Sequence, residues 1–282
     1  MQTGASDLSR VFARQIAAGQ IELPPMPGTA SEVMALCQSE STDAAKVSAV
    51  IHRDQTIASN VLRVANSAAY AGQVPCAGLQ QAVSRLGMQL ITEIAMAVAV
   101  RGRMFANKSC AELLAALWKH SILVGFYTKE IARLRRRNVE IAFLCGLLHD
   151  VGKAVLVNNV DKVVGNAELG LPMAELLDAL DQQHVAAGEL LAKEWKLPDQ
   201  VAEAIRCHHD IAAAGSFADM AMTVQLADAM AYHVLPSLLA TPLTEAQLRQ
   251  HAVLVGLNIY PDQLDALLKL KERALMVAEG MQ

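Results

Sequence analysis

The chain has 282 residues, of which 53% are hydrophobic and 18% are charged, and its formal net charge is −4. Disordered proteins have low hydrophobicity and high charge, so this composition predicts a folded chain with a large apolar core. The acidic balance argues against a surface dominated by nucleic-acid contacts.

Helical periodicity runs through nearly the whole chain. Between residues 57 and 65, apolar side chains recur at spacings of three and four, as they do on one face of a helix. Two helix starts are predicted by capping boxes, one formed by Thr29 with Glu32 and the other by Thr244 with Gln247. The sequence contains no two-residue hairpin signal between alternating segments. It therefore predicts an all-α fold.

Proline and glycine mark further helix boundaries. Pro198 and Pro261 stand where the first turn of a helix accepts proline. Gly87, Gly165 and Gly170 are typical of helix ends, because glycine adopts the left-handed conformation that often follows the last turn.

The polar and basic segment 101–108 separates two apolar helical stretches, and we place a domain junction there. Residues 1–105 are predicted to form an N-terminal helical part that packs on a second helical part, residues 106–235. Residues 236–282 are predicted to add a C-terminal extension of two helices.

Cysteine usage and the N-terminus indicate the compartment. The five cysteines are an odd number and include no CxxC pair, as expected for reduced thiols. The first residues lack the apolar core of a signal peptide. We find no apolar run near the 18 residues of a membrane helix, since Glu93 interrupts the best candidate. A soluble, cytoplasmic protein is expected.

A His149-Asp150 dipeptide lies in the apolar segment 141–156, which is predicted to form one helix. An imidazole next to a carboxylate suits Fe, Mn, Zn, Ni or Mg better than a metal that prefers thiolates. An isolated pair of this kind is more often a histidine at a helix end beside a solvated aspartate. The interpretation therefore depends on what accompanies it.

Further histidines and a further aspartate occur in helical segments rich in apolar residues. They are His120, His184, His208, His209 and Asp228. Each alone is more often a satisfied core or surface residue. Together they favour a shared partner, because buried polar groups are costly unless paired. With His149 and Asp150 they would provide the ligands for two adjacent cations. Two cations ~3.5–4 Å apart can activate a water molecule to attack a phosphoester.

The order of these residues resembles the HD superfamily of metal-dependent phosphohydrolases, and their spacing is similar to the two-metal branch that includes the HD-GYP cyclic-dinucleotide phosphodiesterases. The LPxxP motif at residues 23–27, the stretch 54–67 that ends in ANS, and the AxxxLG turn at 82–87 resemble the opening of the HDOD domain, the HD-related output domain of bacterial signalling proteins. The resemblance covers about residues 20–235, so that 106–235 would be the HD-like domain.

The resemblance implies two sets of metal ligands. The set for the first metal would be His120, His149, Asp150 and Asp228. The set for the second would be His184, His208 and His209, with Asp150 bridging the two metals. Asp150 and Lys153 would be catalytic in an active enzyme, with Lys153 facing a substrate phosphate. The expected cofactor is one or two divalent transition metal ions, namely Fe, Mn, Ni or Zn.

Two departures from the phosphodiesterases bear on function. Ala116 stands where they can carry an extra acidic ligand, and no GYP motif follows His209. HDOD domains are generally regarded as lacking enzymatic activity. The leading hypothesis is therefore a bacterial signal-transduction module that acts by protein or ligand interaction. The alternatives are an active metal-dependent phosphohydrolase acting on a nucleotide or phosphoester, and a helical scaffold whose histidines are relics.

The expected partner is a signalling protein or a small phosphorylated ligand, with no nucleic acid and no membrane. The basic cluster, defined as Arg133, Arg135, Arg136 and Arg137, is interpreted as cations that complement a helix C-terminus. Cys145 and Cys207 adjoin candidate ligands, but core thiols are the favoured interpretation. Gly152 is a candidate for close backbone approach to a phosphate.

Overall fold

The computed structural model describes residues 4–26, 28–37, 44–105, 107, 110–164, 172–235 and 242–282. Within these ranges the regular elements are helices and none is a strand, which confirms the predicted all-α fold. Gly165 and Gly170, predicted as helix ends, lie outside the described residues.

Five helices form the N-terminal part. They are α1 (Gly4–Ala17), α2 (Gly28–Cys37), α3 (Ala44–His52), α4 (Gln55–Ala65) and α5 (Leu79–Met104). The capping box predicted from Thr29 and Glu32 is wrong, because α2 already begins at Gly28. The Thr29 hydroxyl donates a hydrogen bond to Asp54, and Glu32 forms an ion pair with Arg53. Both side chains tie α2 to the start of α4.

The long helix α5 is broken at Gly87, where φ is 79°. This left-handed conformation is the one that glycine adopts without strain, as the predicted helix end there requires. By length and composition α5 is apolar enough to cross a membrane, so the prediction that the chain has no such stretch is wrong. Half of its most apolar window is buried inside the protein. Glu93, within this helix, is buried and ion-paired to Lys129 of the next helix.

The central part contains six α-helices and one short 3₁₀ helix. They are α6 (Ala111–Leu134), α7 (Val139–Leu148), α8 (Val151–Val164), α9 (Met173–Glu194), α10 (Asp199–Cys207), the 3₁₀ helix (Ile211–Phe217) and α11 (Ala218–Val234). The single helix predicted over 141–156 is wrong. The chain turns between α7 and α8, and His149-Asp150 lies in that turn. Pro198 stands one residue before α10, at its N-cap.

Two glycines allow the central helices to approach closely. A Cβ at Gly146 would lie 2.7 Å from the Val124 carbonyl oxygen of α6. A Cβ at Gly152 would lie 1.8 Å from the His184 carbonyl oxygen of α9. Both distances are too short for a real side chain, so only glycine lets α7 rest on α6 and α8 rest on α9. The expectation that Gly152 faces a phosphate is wrong, because the backbone of α9 occupies that space.

Four short helices, rather than the two predicted, form the C-terminal extension. They are α12 (Glu245–Arg249), α13 (Val253–Gly256), α14 (Pro261–Leu268) and α15 (Lys271–Gly280). The predicted capping box of Thr244 with Gln247 and the predicted Pro261 in a first turn are both confirmed. The chain end packs back on the other parts, where the Trp118 indole donates a hydrogen bond to the Met281 carbonyl oxygen.

One apolar core runs through all three parts. The N-terminal part is also hydrogen-bonded to the central helices. The Trp195 indole N–H donates to the Pro24 carbonyl oxygen at 2.8 Å, and the Asn159 side chain bonds both backbone groups of Glu22. Helix α5 continues to Met104, through the first half of the predicted junction. The division at residues 105 and 235 stays a prediction.

Candidate metal centre

The seven side chains predicted as metal ligands converge where α6 to α11 meet. They include two groups in which each residue offers one ligand atom, and the ligand atoms of a group all lie within 4.8 Å of one another. One group is His120, His149 and Asp150; the other is Asp150, His184, His208 and His209. Asp150 belongs to both groups, and its carboxylate lies between them. The seven predicted ligands, which include Asp228, are called the His/Asp cluster below.

The Asp150 carboxylate faces the two groups with different oxygens. Its Oδ2 lies 3.5 Å from His149 Nε2. Its Oδ1 lies 3.3 Å from His184 Nε2 and 3.4 Å from His208 Nε2. Each carboxylate oxygen of Asp150 thus faces a different group of candidate ligands.

Asp228, on α11, closes the side of the cluster formed by α6. Its Oδ1 lies 2.9 Å from His120 Nε2 and 3.7 Å from His149 Nε2. One turn further along α11, the ring of Tyr232 stacks on the imidazole of His120 with centroids 4.5 Å apart. Tyr232 therefore fixes the plane of a candidate ligand.

Backbone carbonyls set the protonation of three imidazoles. The Nδ1 atoms of His149, His184 and His208 each lie 2.8–2.9 Å from the carbonyl oxygen three residues earlier. A carbonyl oxygen can only accept, so each Nδ1 carries a hydrogen, and an Nε2 without a second hydrogen presents its lone pair to the cluster. The ends of α7 and α10 and the middle of α9 thus orient their histidines as metal ligands.

The atoms aimed into the cluster lack hydrogen-bond partners. Four such atoms are buried: His120 Nε2, His149 Nε2, Asp150 Oδ1 and Asp228 Oδ1. The Nε2 atoms of His184 and His208 lie 3.2 Å apart, so two lone pairs face each other. Each unsatisfied buried group costs about 1–3 kcal/mol, and lone pairs that converge repel. A cation between them removes both costs, so the residues present fit a metal ion.

The charge of the cluster fits a cation as well. Burial by itself raises the pKa of Asp150, but Lys153, His149 and His184 lower it well below the usual range. For Asp228, burial likewise raises the pKa, and the nearby imidazoles of His120 and His149 give a net decrease. Both aspartates therefore stay ionised at neutral pH, against the single ammonium of Lys153.

Lys153 lies inside the cluster, where its ammonium bonds two carboxylates. Its Nζ is 2.8 Å from Asp150 Oδ2 and 2.9 Å from Asp181 Oδ1. Burial lowers the pKa of Lys153, and the attraction of Asp150 outweighs that effect and raises it. The residue expected to face a substrate phosphate is thus already engaged by acidic side chains of the protein.

His209 lies at the solvent side of the cluster and is exposed, whereas His208 is buried. Partial burial of its ring, together with the nearby His208 and His184, lowers the pKa of His209 to about 4. Its imidazole is therefore neutral at physiological pH and can act as a ligand from the open side.

Sequence reasoning missed two residues of this region, Asp181 and Tyr232. Asp181 precedes His184 by three residues and Tyr232 follows Asp228 by four, so each shares a helix face with a candidate ligand. That spacing was the signal available in the sequence.

The basic cluster and the two thiols lie apart from the two ligand groups. Arg135, at the end of α6, makes a bidentate ion pair with Asp219 at 2.7 and 2.8 Å. Arg133 pairs with Glu130 of its own helix. The Cys145 thiol is buried against the Gln200 carbonyl oxygen. Its burial raises the pKa of Cys145, as for a core thiol.

The fold and the site together define a class of protein: an all-helical protein with a buried His/Asp cluster that could hold a metal ion. A sequence model of the HDOD domain matches residues 23–211. The chain belongs to the HDOD domain family.

A curated relative matches most of the chain. An uncharacterized protein of Treponema pallidum (strain Nichols) is 25% identical over 220 residues, which are 75% of this chain and 41% of that protein. The chain thus spans less than half the length of the curated relatives it matches.

Two solved structures share the fold. A "Putative metal-dependent phosphohydrolase" from Shewanella amazonensis SB2B has a TM-score of 0.73 and 20% identity, covering 99% of each chain. A "Putative signal transduction protein" from Marinobacter aquaeolei VT8 has a TM-score of 0.70 and 21% identity, covering 99% of this chain and 66% of that one. At these identities the likeness concerns the fold.

Proposed function

We propose that the chain is a cytoplasmic signal-transduction module of the HDOD type whose His/Asp cluster holds one or two divalent transition metal ions. It acts by binding a signalling protein or a small phosphorylated ligand, and not nucleic acid or a membrane. The observation that carries the proposal is the set of buried imidazole nitrogens and carboxylate oxygens that face one another without hydrogen-bond partners. A cation held between these atoms would satisfy them.

The donor set indicates which cations fit. Imidazole nitrogens outnumber carboxylate oxygens, and neither ligand group contains a thiol. Fe, Mn, Ni or Zn suit such borderline ligands, whereas Mg prefers oxygen alone. A bound cation would polarise a phosphoryl oxygen or lower the pKa of a water molecule.

The protein's own residues prepare the cluster for that cation. The backbone carbonyls that accept from Nδ1 hold three imidazoles with Nε2 inward. Lys153 keeps Asp150 ionised and holds its Oδ2, which fixes the orientation of Oδ1 towards His184 and His208. Second contacts of this kind commonly strengthen metal binding 10–100-fold.

Two contacts favour a binding module over an enzyme. The ammonium of Lys153 already bonds two carboxylates, and the space beside Gly152 is filled by α9. In this structure, groups of the protein itself occupy both positions that were expected to receive a phosphate. The 3₁₀ helix that follows His209 has only Ser216 as a polar side chain, which offers little to a charged substrate.

An active metal-dependent phosphohydrolase is the second candidate. It is favoured by the exposure of His209 and by the partly exposed Asp228, whose side chain is 19% accessible. These residues leave the cluster a route to solvent. The name of the Shewanella structure agrees with this candidate, as does the presence of both predicted ligand sets.

One experiment separates the candidates. The chain is purified without a nickel-affinity step, its metal content is measured by elemental analysis, and hydrolysis of cyclic diguanylate and of a small phosphodiester is followed with added Mn²⁺. We expect bound metal, no turnover of cyclic diguanylate and at most slow, unspecific phosphodiester hydrolysis. Metal-free protein would contradict the metal site. Rapid nucleotide hydrolysis that Asp150→Ala abolishes would identify the enzyme instead.

A further inference from the structure

The ammonium of Lys153 joins a buried carboxylate to an exposed one. Asp150 is 5% accessible, and its contact with Lys153 lies inside the cluster. Asp181 has 59% of its side chain exposed, yet its Oδ1 reaches a lysine that is only 8% accessible. The outer carboxylate thus covers the solvent side of a buried cation.

The site that Asp181 occupies is one that an external oxyanion fits. A carboxylate and a phosphate bind an ammonium through the same chemistry, a negatively charged oxygen at about 2.7–2.9 Å. Lys153 also shares Asp150 with the candidate ligands, so an anion bound to Lys153 would lie beside the proposed metal. An exposed carboxylate keeps most of its hydration, so its removal from Lys153 costs little.

The side chain of Asp181 can move away from Lys153, whereas its backbone is held in place. Its backbone carbonyl accepts the Nδ1 hydrogen bond of His184, and α9 is held against α8 at Gly152. Displacement of the carboxylate therefore needs a rotation of one side chain and no shift of a helix.

We infer that Asp181 acts as a built-in anion that closes the oxyanion position on Lys153, and that a phosphate-bearing ligand enters the cluster only by displacing it. The inference rests on the proposed function, since it concerns regulation of the same site. It also explains how a complete set of candidate ligands can exist in a module with little or no turnover.

The test compares inorganic phosphate binding to the full-length protein and its variants by titration calorimetry. Asp181→Asn removes the charge and keeps the shape, and Asp181→Ser removes the reach as well. Asp178→Asn is the matched control, because Asp178 is an exposed acid of the same helix that is hydrogen-bonded to Gln182. Metal content is measured on every preparation.

We expect both Asp181 variants to bind phosphate about tenfold more tightly than wild type, and Asp178→Asn to match wild type. Crystals of Asp181→Asn soaked in phosphate should show the anion within hydrogen-bond distance of Lys153 Nζ. Equal affinity in all four proteins would overturn the inference, as would a phosphate bound away from Lys153. A wild-type protein without metal would instead refute the proposed function, which the metal analysis reports separately.

Discussion

Helix α6 contributes to two buried polar sites of opposite character. Near its C-terminal end, Lys129 donates to Glu93 Oε2 at 2.6 Å, so a positive charge meets a negative one. Two and a half turns earlier, His120 points into the His/Asp cluster, where acceptor atoms face acceptor atoms. The first site pairs opposite charges within the protein, although Glu93 Oε1 has no hydrogen-bond partner, whereas the second would be completed by a cation. What distinguishes a candidate metal site is therefore the kind of atom left unsatisfied, and not burial alone.

The largest expected effect comes from removing a ligand of the cluster. His149→Ala should abolish metal binding and lower the melting temperature to that of chelator-treated wild type. A metal present at about 1,000 times its dissociation constant adds about 4 kcal/mol to stability, and all of it would be lost. Elemental analysis and calorimetric melting measure both effects.

The control for this variant is His52→Ala, which removes an exposed histidine of α3 and should leave metal content and melting unchanged. Unchanged melting in His149→Ala, or chelation without effect on wild type, would mean that the cluster is stable without a cation. The comparison between the two polar sites would then fail.

The second effect tests the helix contact that holds the cluster together. Gly152→Ala places a Cβ 1.8 Å from the His184 carbonyl oxygen, so α8 must move away from α9. Overpacking of backbone against backbone should cost at least about 3 kcal/mol and weaken metal binding, because His184 moves too. Chemical denaturation gives the loss. Gly102→Ala, with nothing within 4 Å, should be neutral or stabilising by up to about 1 kcal/mol.

The third effect distinguishes the self-contained ion pair from the cluster. Lys129→Met leaves the Glu93 carboxylate buried without its partner and should cost about 3 kcal/mol at neutral pH. Adding Glu93→Leu should recover most of that loss, because an apolar pair can replace a buried ion pair. Metal content should stay the same in both variants, as measured by elemental analysis alongside denaturation.

The pH dependence of Lys129→Met follows from Glu93. Burial raises the pKa of Glu93, and Lys129 opposes this in the wild type. A carboxyl whose pKa is raised on folding is most favourable below its unfolded pKa, near 4.5, and loses stability as pH rises through the folded value. The deficit of Lys129→Met should therefore shrink as pH falls towards that range. A deficit that grows instead would contradict a buried, ionised Glu93.

Much of the fold could be predicted from the sequence because helix signals are local. The capping box at Thr244 and the break at Gly87 each depend on residues within one turn. The same locality explains the errors. Thr29 and Glu32 match a capping box in sequence, but their partners are Asp54 and Arg53 of another part of the chain. The sequence has no proline at His149-Asp150 that would indicate a turn there.

The site shows the same limit. The seven candidate ligands could be recognised because their polar side chains lie in apolar helical segments. The family resemblance then indicated which of them would share a metal. Asp181 could not be found that way, since an exposed acid on a helix is ordinary until its distance to Lys153 is known. The prediction that Gly152 receives a phosphate fails because the sequence does not reveal which backbone approaches this residue.

The smallest expected effect concerns an ion pair near the surface. Asp219→Asn removes the partner of Arg135, whose guanidinium also donates to the Leu257 carbonyl oxygen and so ties α6 to the C-terminal extension. Hydrogen bonding and charge from Arg135 lower the pKa of Asp219, against a smaller opposing effect of burial. The carboxylate is 41% exposed, so the loss should be only about 1 kcal/mol.

The sign of its pH dependence is opposite to that of Glu93. A carboxyl with a lowered pKa contributes stability above its unfolded pKa, near 3.8, and loses it as pH falls through the folded value. Wild type and Asp219→Asn should therefore converge in acid when unfolding is measured by denaturant.

The same variant tests whether the basic cluster is a hidden nucleic-acid site. Asp219 neutralises Arg135 and lies 3.7 Å from the guanidinium of Arg137, so its removal exposes both charges. If these arginines serve only as cations that complement the C-terminus of α6, duplex DNA should bind neither wild type nor Asp219→Asn at physiological salt. Fluorescence anisotropy measures this binding. Submicromolar binding that appears in Asp219→Asn and disappears when Arg135, Arg136 and Arg137 are also changed would show that the ion pair masks a phosphate-binding surface. The structural interpretation of the arginines would then be wrong, and the proposed absence of a nucleic-acid partner with it.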